Sequence, residues 1–282
     1  MTLLVELPGP LSLVQDLGRP GLGHLGVSPS GSFDRRAARQ ANAILANPVG
    51  RPLIESLGGL VLRAESAHAV AVTGASSDIA VDGRTAPYGR AVLLRPGQVL
   101  RLGIPTTGMR TYVGVAGGLN PGSELGSAST DTLSGLGPAP LRSGERLAVG
   151  PSSAIPDLED VPPLGSSGDA TLDVMLGPRD DWFTPEAVRL LLQHSWQVSP
   201  DSSRIGVRLV GATLERSRHD ELPSEPCVRG SIQIASDGQP IVLGPDHPVT
   251  GGYPVMAVVA DTHGDRLAQV RPGQVVRFRR TF

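Results

Sequence analysis

Arg95-Pro-Gly-Gln-Val-Leu-Arg-Leu102 recurs as Arg271-Pro-Gly-Gln-Val-Val-Arg-Phe278 at the far end of the chain. Each octapeptide reads as a Pro-Gly turn that feeds a strand, because proline presets φ at the second turn position and glycine accepts positive φ at the third. The echo points to duplication. It divides the 282 residues into two β-rich lobes, 1–150 and 170–282. Residues 151–169 are rich in Pro, Ser, Gly and acids without periodicity, and read as a linker or surface excursion.

Working outward, 36 glycines and 26 prolines punctuate apolar runs that are mostly short, the pattern of brief strands joined by tight turns. Strands are expected at Leu3–Leu7, Ala69–Thr73, Ile79–Val81, Val99–Leu102, Thr111–Ala116, Leu172–Leu176, Val228–Ala235, Ile241–Leu243, Val255–Val259 and Val275–Arg279. Asp82-Gly83 and Asp237-Gly238 both predict type I′ hairpins, the second more strongly, since it lies between Ser-Ile-Gln-Ile-Ala and Pro-Ile-Val-Leu. Two segments carry helical periodicity. Phe33 to Ala46 has Ser32 as its candidate N-cap and ends at Asn47-Pro48, and Pro185 to His194 follows Thr184 as cap.

Composition excludes several function classes. A net charge of −2 gives no footprint for nucleic acid or an anionic membrane. The N-terminus has no leader-like pattern and no run approaches 18 apolar residues, so a cytoplasmic location is expected. All 25 basic residues are arginine. Without lysine there is no Walker A phosphate loop, no Schiff base and no biotin attachment on this chain. A single cysteine, Cys227, forms no internal disulfide and reads as a small half-buried residue. The six histidines are dispersed, and no metal site is expected.

Residues 12–34 concentrate five glycines with Gln15, Asp16, Arg19, His24 and Asp34. Gly21-Leu-Gly-His-Leu-Gly26 matches dinucleotide-loop spacing, but no apolar strand runs into it and Pro29 follows where a helix should open. A second polar stretch, Asp246 to Pro254, holds Thr250, Gly251, Gly252 and Tyr253. Between the two, Arg204 is suited to bidentate carboxylate binding, Gln233 projects an amide from mid-strand, and Asn42 and Glu55 accompany the first helix. Capping or surface exposure is the plain alternative for each. The two polar stretches read as two walls of one site.

The series Val14-Gln-Asp-Leu-Gly-Arg19, Gly26 to Asp34, Ala41-Asn42, Glu55, Thr73-Gly-Ala75, Leu125-Gly-Ser-Ala-Ser-Thr130, Ser203 to Leu209, Gly230-Ser-Ile-Gln233, Asp246, Gly251-Gly-Tyr-Pro254 and Gln269 to Gly273 resembles the family of the C component of 5-oxoprolinase. That family also holds half of the carboxyltransferase domain of urea carboxylase, often labelled allophanate hydrolase subunit 2, and an antagonist of a sporulation-kinase inhibitor. The resemblance implies a mainly β chain of two cyclophilin-like β-barrel lobes with a few short helices. It also implies a homologous partner subunit and, in 5-oxoprolinase, a third subunit.

Three activities stay open on that basis: ATP-dependent opening of the 5-oxoproline lactam to glutamate, carboxyl transfer to urea or a related amide from carboxybiotin on a separate carrier, and regulatory binding without turnover. ATP is used by the complex, at a site that can lie on a partner. Lactam opening needs a base and oxyanion donors. The matching positions offer Asp246 or Asp34 to orient or deprotonate water, with Gln233 and Tyr253 as donors. Arg204, Asn42, Gln15, Arg19, Gly251 and Gly252 are the substrate-binding candidates.

Overall fold

The computed structural model describes residues 1–152 and 168–281. The expected linker falls largely on 153–167, outside the described residues. Two compact units emerge. The first comprises Met1–Arg19, Ser30–Asp131 and the chain onward from Gly135; the second comprises Pro20–Pro29, Thr132–Ser134 and the C-terminal part of the chain.

In the first unit two antiparallel sheets share one core. A six-stranded sheet runs in the order Arg146–Ala148, Thr2–Pro8, Leu60–Ala64, Val99–Leu102, Ile79–Val81, Arg84–Thr85. A five-stranded sheet runs Ser12–Gln15, Leu53–Ser56, Thr107–Val115, His68–Ser76, Val92–Leu94. Leu3, Val5, Leu62 and Leu100 of the first meet Val14, Ile54, Val72 and Val113 of the second. Period-2 alternation turns the neighbouring residues Leu53, Tyr112 and Ala71 to the opposite face, where helix α1 (Arg35–Ile44) covers them with Ala37, Ala38, Ala41 and Ile44. Strands of this sheet are therefore buried on both faces, and Ser12–Gln15 and Leu53–Ser56 are buried at every position. They show no alternation, which is why the sequence pattern passed over them.

The second unit is a closed barrel, in the order Ala170–Leu176, Val255–Val259, Ser231–Ile234, Pro240–Leu243, Gly206–Val210, Trp196–Val198, Val275–Arg280. Parallel pairing of Ala170 with Val276 through Val174 with Arg280 closes it. Helix α2 (Pro185–Gln193) is capped by Thr184, whose hydroxyl accepts from the Ala187 amide, and Trp196 Nε1 donates to Leu191 O at its end. A third helix, α3 (Asp261–Leu267), has no apolar run long enough to announce it. Among the described residues no helix is long and apolar enough to cross a membrane.

The recurring octapeptides take the same conformation bond for bond. Gln98 N donates to Arg95 O and Gln274 N to Arg271 O, each at 3.0 Å. Each arginine amide donates back to the glutamine Oε1 at 2.9 Å. Gly97 and Gly273 sit at φ 89° and 86°, and their amides bond to Ala64 O and Val198 O of a neighbouring segment. Arg142-Ser-Gly-Glu145 repeats the device with a carboxylate, Arg142 N donating to Glu145 Oε2 and Gly144 at φ 84°.

Besides the Thr184 cap, the turns and caps keep one further local expectation and change three. Asp82 and Gly83 are both at positive φ, 49° and 78°, as a type I′ turn requires. Asp237 is not; only Gly238 is, at 77°, and Gly238 N donates to Ala235 O while Ala235 N donates to Gln239 O. The loop is one residue longer, a type I turn with a glycine bulge, and Asp237 Oδ1 accepts from Gln239 N. The helix cap is Asp34, which accepts from Ala37 N at 2.8 Å, whereas Ser32 donates through both N and Oγ to Asp16 O. The strand expected from Val228 begins at Ser231, because Gly230 at φ 88° turns the chain there.

Candidate functional site

The first unit joins two segments that are a hundred residues apart in sequence. The Asp16 carboxylate accepts from Gly18 N at 2.7 Å, Ala128 N at 2.7 Å, and the Ser127 and Ser129 hydroxyls at 2.6 Å each. Ser129 Oγ in turn accepts from Asp16 N. Arg19 is buried and donates to Ser129 O at 2.6 Å, with longer contacts to Ser30 Oγ and Glu124 O at 3.4 Å. Gly137 lies over this guanidinium so closely that a Cβ would fall 2.1 Å from Ser129 O. Gln15 is fully buried; its Nε2 donates to Thr130 O, and its Oε1 meets no donor among the described residues. Beside this knot a cleft of about 260 Å³ is lined by Pro121, Gly122, Ser123, Glu124, Gly137 and Pro138.

A second polar cluster of the first unit surrounds the start of α1. Tyr112 Oη donates to Glu55 Oε2 at 2.8 Å and accepts from Asp34 N at 2.7 Å, and Phe33 N also donates to Glu55 Oε2. Arg110 lies 3.5 Å from Glu55 Oε1 and 4.5 Å over the Phe33 ring. Burial, reinforced by the Glu55 and Asp34 carboxylates, raises the Tyr112 phenol well above its ordinary pKa, so it remains a donor. Asn42 ties the helix to its exit, donating to Arg51 O and accepting from Asn47 Nδ2, both at 3.0 Å.

In the second unit Arg204 grips Asp246 through Nε to Oδ2 and Nη2 to Oδ1, each 2.9 Å. Thr132 adds its amide and hydroxyl to Oδ2 at 3.0 and 2.7 Å. Gln233 is buried; its Nε2 donates to Tyr253 O at 3.1 Å and lies 3.4 Å from Cys227 Sγ. Gly251 makes room for that amide, since a Cβ there would stand 2.5 Å from Gln233 Nε2. Gly252 is exposed, and Tyr253 is 42% exposed. Burial and Glu225 raise the Cys227 thiol, which keeps it protonated.

The expected residues therefore fall into separate groups: Gln15 and Arg19 on the Ser129–Thr130 backbone, Asp34 and Asn42 toward opposite ends of α1, Arg204 on Asp246, and Gln233 against Gly251 and the Tyr253 carbonyl. The arginine expected to hold a substrate carboxylate holds an internal one. Sequence reasoning left Ser127, Ser129, Tyr112 and Thr132 unassigned; the alternating hydroxyls of Ser127-Ala-Ser129 were the available signal. Among the described residues no group of three or more His, Cys, Asp or Glu is placed to hold a metal ion.

Comparison with known proteins adds a family context. Residues 25–280 match the model of the carboxyltransferase domain, subdomain A and B. The chain is 34% identical to the C component of 5-oxoprolinase from Escherichia coli K12, over 96% of this chain and 88% of that protein. It is 30% identical to urea amidolyase of Saccharomyces cerevisiae over 97% of its length, but spans only 16% of that much longer relative. The crystal structure of K. lactis urea amidolyase superimposes with a TM-score of 0.92 at 28% identity, covering 98% of this chain and 18% of that one.

Proposed function

The chain belongs to the carboxyltransferase-domain family, subdomain A and B, and on that premise we propose that it is the C component of an ATP-dependent 5-oxoprolinase that opens the lactam of 5-oxoproline to glutamate. The observation that carries this reading is the 34% identity to the E. coli protein across 88% of its length, against 16% of the urea amidolyase.

The residues limit what this chain does in such a complex. Arg19 spends its guanidinium on Ser129 O, Ser30 Oγ and Glu124 O, and the glycine segment that follows forms a single helical turn, Gly23–Leu25, without a strand leading in. These residues do not fit a phosphate cradle, and we assign ATP binding to a partner subunit. Asp34 caps a helix and Asp246 is saturated by Arg204 and Thr132, so neither is assigned the role of base. Both are positioning residues. Tyr253 is the candidate whose side chain reaches solvent, and its phenol can donate to an oxyanion while Gln233 fixes its backbone.

The test mixes the purified chain with its partner subunits, 5-oxoproline and ATP, and measures glutamate and phosphate. Glutamate formed only with ATP supports the reading. No ATP-dependent glutamate with every subunit present overturns it, and turnover blocked by avidin assigns the carboxyltransferase role instead.

A further inference from the structure

The Tyr253 phenol is not held at its tip: among the described residues its hydroxyl makes no hydrogen bond, and the contact at this residue runs through its carbonyl, which accepts from Gln233 Nε2. Where the ring points is therefore decided by the backbone of residues 250–255.

That backbone is fastened at both ends. Upstream, Thr250–Gly251 pairs antiparallel with Glu225–Pro226, Gly251 opposite Glu225, and Cys227 N donates to Val249 O at 2.8 Å. This ribbon is a separate two-stranded sheet outside the barrel, and so short a ribbon is marginal on its own. Downstream, Val255 enters the barrel opposite Gln233, and its carbonyl accepts from Arg179 N at 3.1 Å. Arg179 also reaches the upstream end. Its Nε donates to both oxygens of Glu225 at 2.9 and 3.0 Å, and Nη2 donates to Oε1 as well. One residue thus brackets the segment, with its amide on the strand that follows Tyr253 and its guanidinium on the strand that braces what precedes it.

We infer that Arg179 is a positioning residue that sets the direction of the Tyr253 phenol through Glu225. The inference rests on the reading of Tyr253 as the donor to an oxyanion. The planar guanidinium suits this work, because a forked contact fixes the orientation of the carboxylate as well as its distance. The pair contributes little to overall stability, since the side chains are 35% and 24% exposed and water competes for both. Its effect is local. A donor displaced by about an ångström loses much of its value in a transition state.

The test uses Arg179→Gln, Glu225→Gln and Tyr253→Phe, and the double variant Arg179→Gln with Tyr253→Phe, in the full chain assembled with its partner subunits. Arg179→Gln and Glu225→Gln should each lower kcat for glutamate formation at least about tenfold, with KM within about twofold of wild type. In the Tyr253→Phe background Arg179→Gln should cost no more than about a further twofold, because the group it positions is gone. A second readout needs no turnover: fluorine NMR of the isolated chain carrying 3-fluorotyrosine at its three tyrosines, with the Tyr253 signal assigned by its loss in Tyr253→Phe. That signal should shift or broaden in Arg179→Gln while the other two stay in place. Unchanged kcat in Arg179→Gln overturns the inference, as does an equal loss in both backgrounds, a Tyr253→Phe complex as active as wild type, or a Tyr253 signal indifferent to Arg179→Gln. A wild-type complex that forms no ATP-dependent glutamate removes the functional reading, and the fluorine signal then still decides whether Arg179 sets the ring.

Discussion

Arg204 and Asp246 meet through two 2.9 Å hydrogen bonds with side chains 2% and 0% exposed, and Thr132 supplies two more donors to the same carboxylate. Replacing one partner of such a pair leaves the other charge buried without compensation, at about 3–5 kcal/mol, while replacing both by apolar residues of similar size is often close to neutral. Asp246→Asn should therefore lower the melting temperature markedly. Arg204→Met combined with Asp246→Leu should be less damaging than either single change. Thermal unfolding of these variants checks this; an Asp246→Asn protein that melts like wild type but turns over nothing would return Asp246 to the catalytic list.

Asp16 carries a comparable load on four donors. In Asp16→Asn one oxygen becomes an NH2 group facing a donor, which removes at least one bond and sets donor against donor. A loss of about 2–3 kcal/mol is expected. Because Ser127 and Ser129 share the same oxygen, the effect of Asp16→Asn and Ser129→Ala together should fall short of their sum in a double-mutant cycle.

The turns at Arg95, Arg142 and Arg271 offer a cleaner measurement. A Cβ on Gly97, Gly144 or Gly273 meets nothing within 4 Å, so alanine there probes positive φ alone and should cost about 1 kcal/mol at each. Gly238→Ala should cost more, because its Cβ would stand 2.5 Å from Thr213 Cγ2. Chemical denaturation of the four single variants separates the two cases.

These same positions show what was legible in the sequence. The Pro-Gly octapeptides were readable as turns because their chemistry is local and needs no distant partner. Asp237-Gly238 misled because the dipeptide is shared by two hairpin lengths, and the choice was made by Gln239, which pairs with Ala235. Ser12–Gln15 and Leu53–Ser56 were silent because burial on both faces erases alternation. At the site, Gln15, Arg19, Asp34, Asn42, Arg204, Gln233 and Asp246 were recognisable as polar residues in unusual company. Their partners were not, since Asp16–Ser129, Asp34–Tyr112 and Arg204–Asp246 are contacts 113, 78 and 42 residues apart.

His263 makes stability depend on pH. Its Nδ1 accepts from Asp173 N at 2.7 Å, a bond that only the neutral ring can make, and burial followed by Arg266 lowers its pKa against the opposing pull of Asp173. A histidine with a depressed folded pKa takes up its proton more readily when unfolded. The stabilisation is thus complete above the unfolded pKa, about 6.5, and is lost as pH falls from there through the folded value, with a slope of at most about 1.4 kcal/mol per pH unit. His68, also lowered by burial, adds in the same direction. His263→Asn should flatten part of the acid limb of a stability-against-pH curve measured between about pH 7 and 5, the range around the unfolded value; an unchanged limb would remove His263 as a contributor.

Tyr112 gives the last test, because its hydroxyl is bonded on both sides inside the protein. The phenol donates to Glu55 and accepts from Asp34 N, so Tyr112→Phe leaves a buried amide and a carboxylate short of a partner together. Tyr112→Phe should cost about 2–3 kcal/mol, more than the loss of an ordinary hydrogen bond. Glu55→Gln in the same cluster should cost less in the Tyr112→Phe background than in wild type, since the phenol donor is already gone. The damage should also be local. Asp34 caps α1, and Phe33 N is held by the same Glu55 oxygen, so amide exchange in Ala37 and Ala38 should accelerate before that of the sheet strand Thr107–Val115. Uniform acceleration across α1 and the sheet would mean that the cluster holds the whole unit rather than the start of the helix.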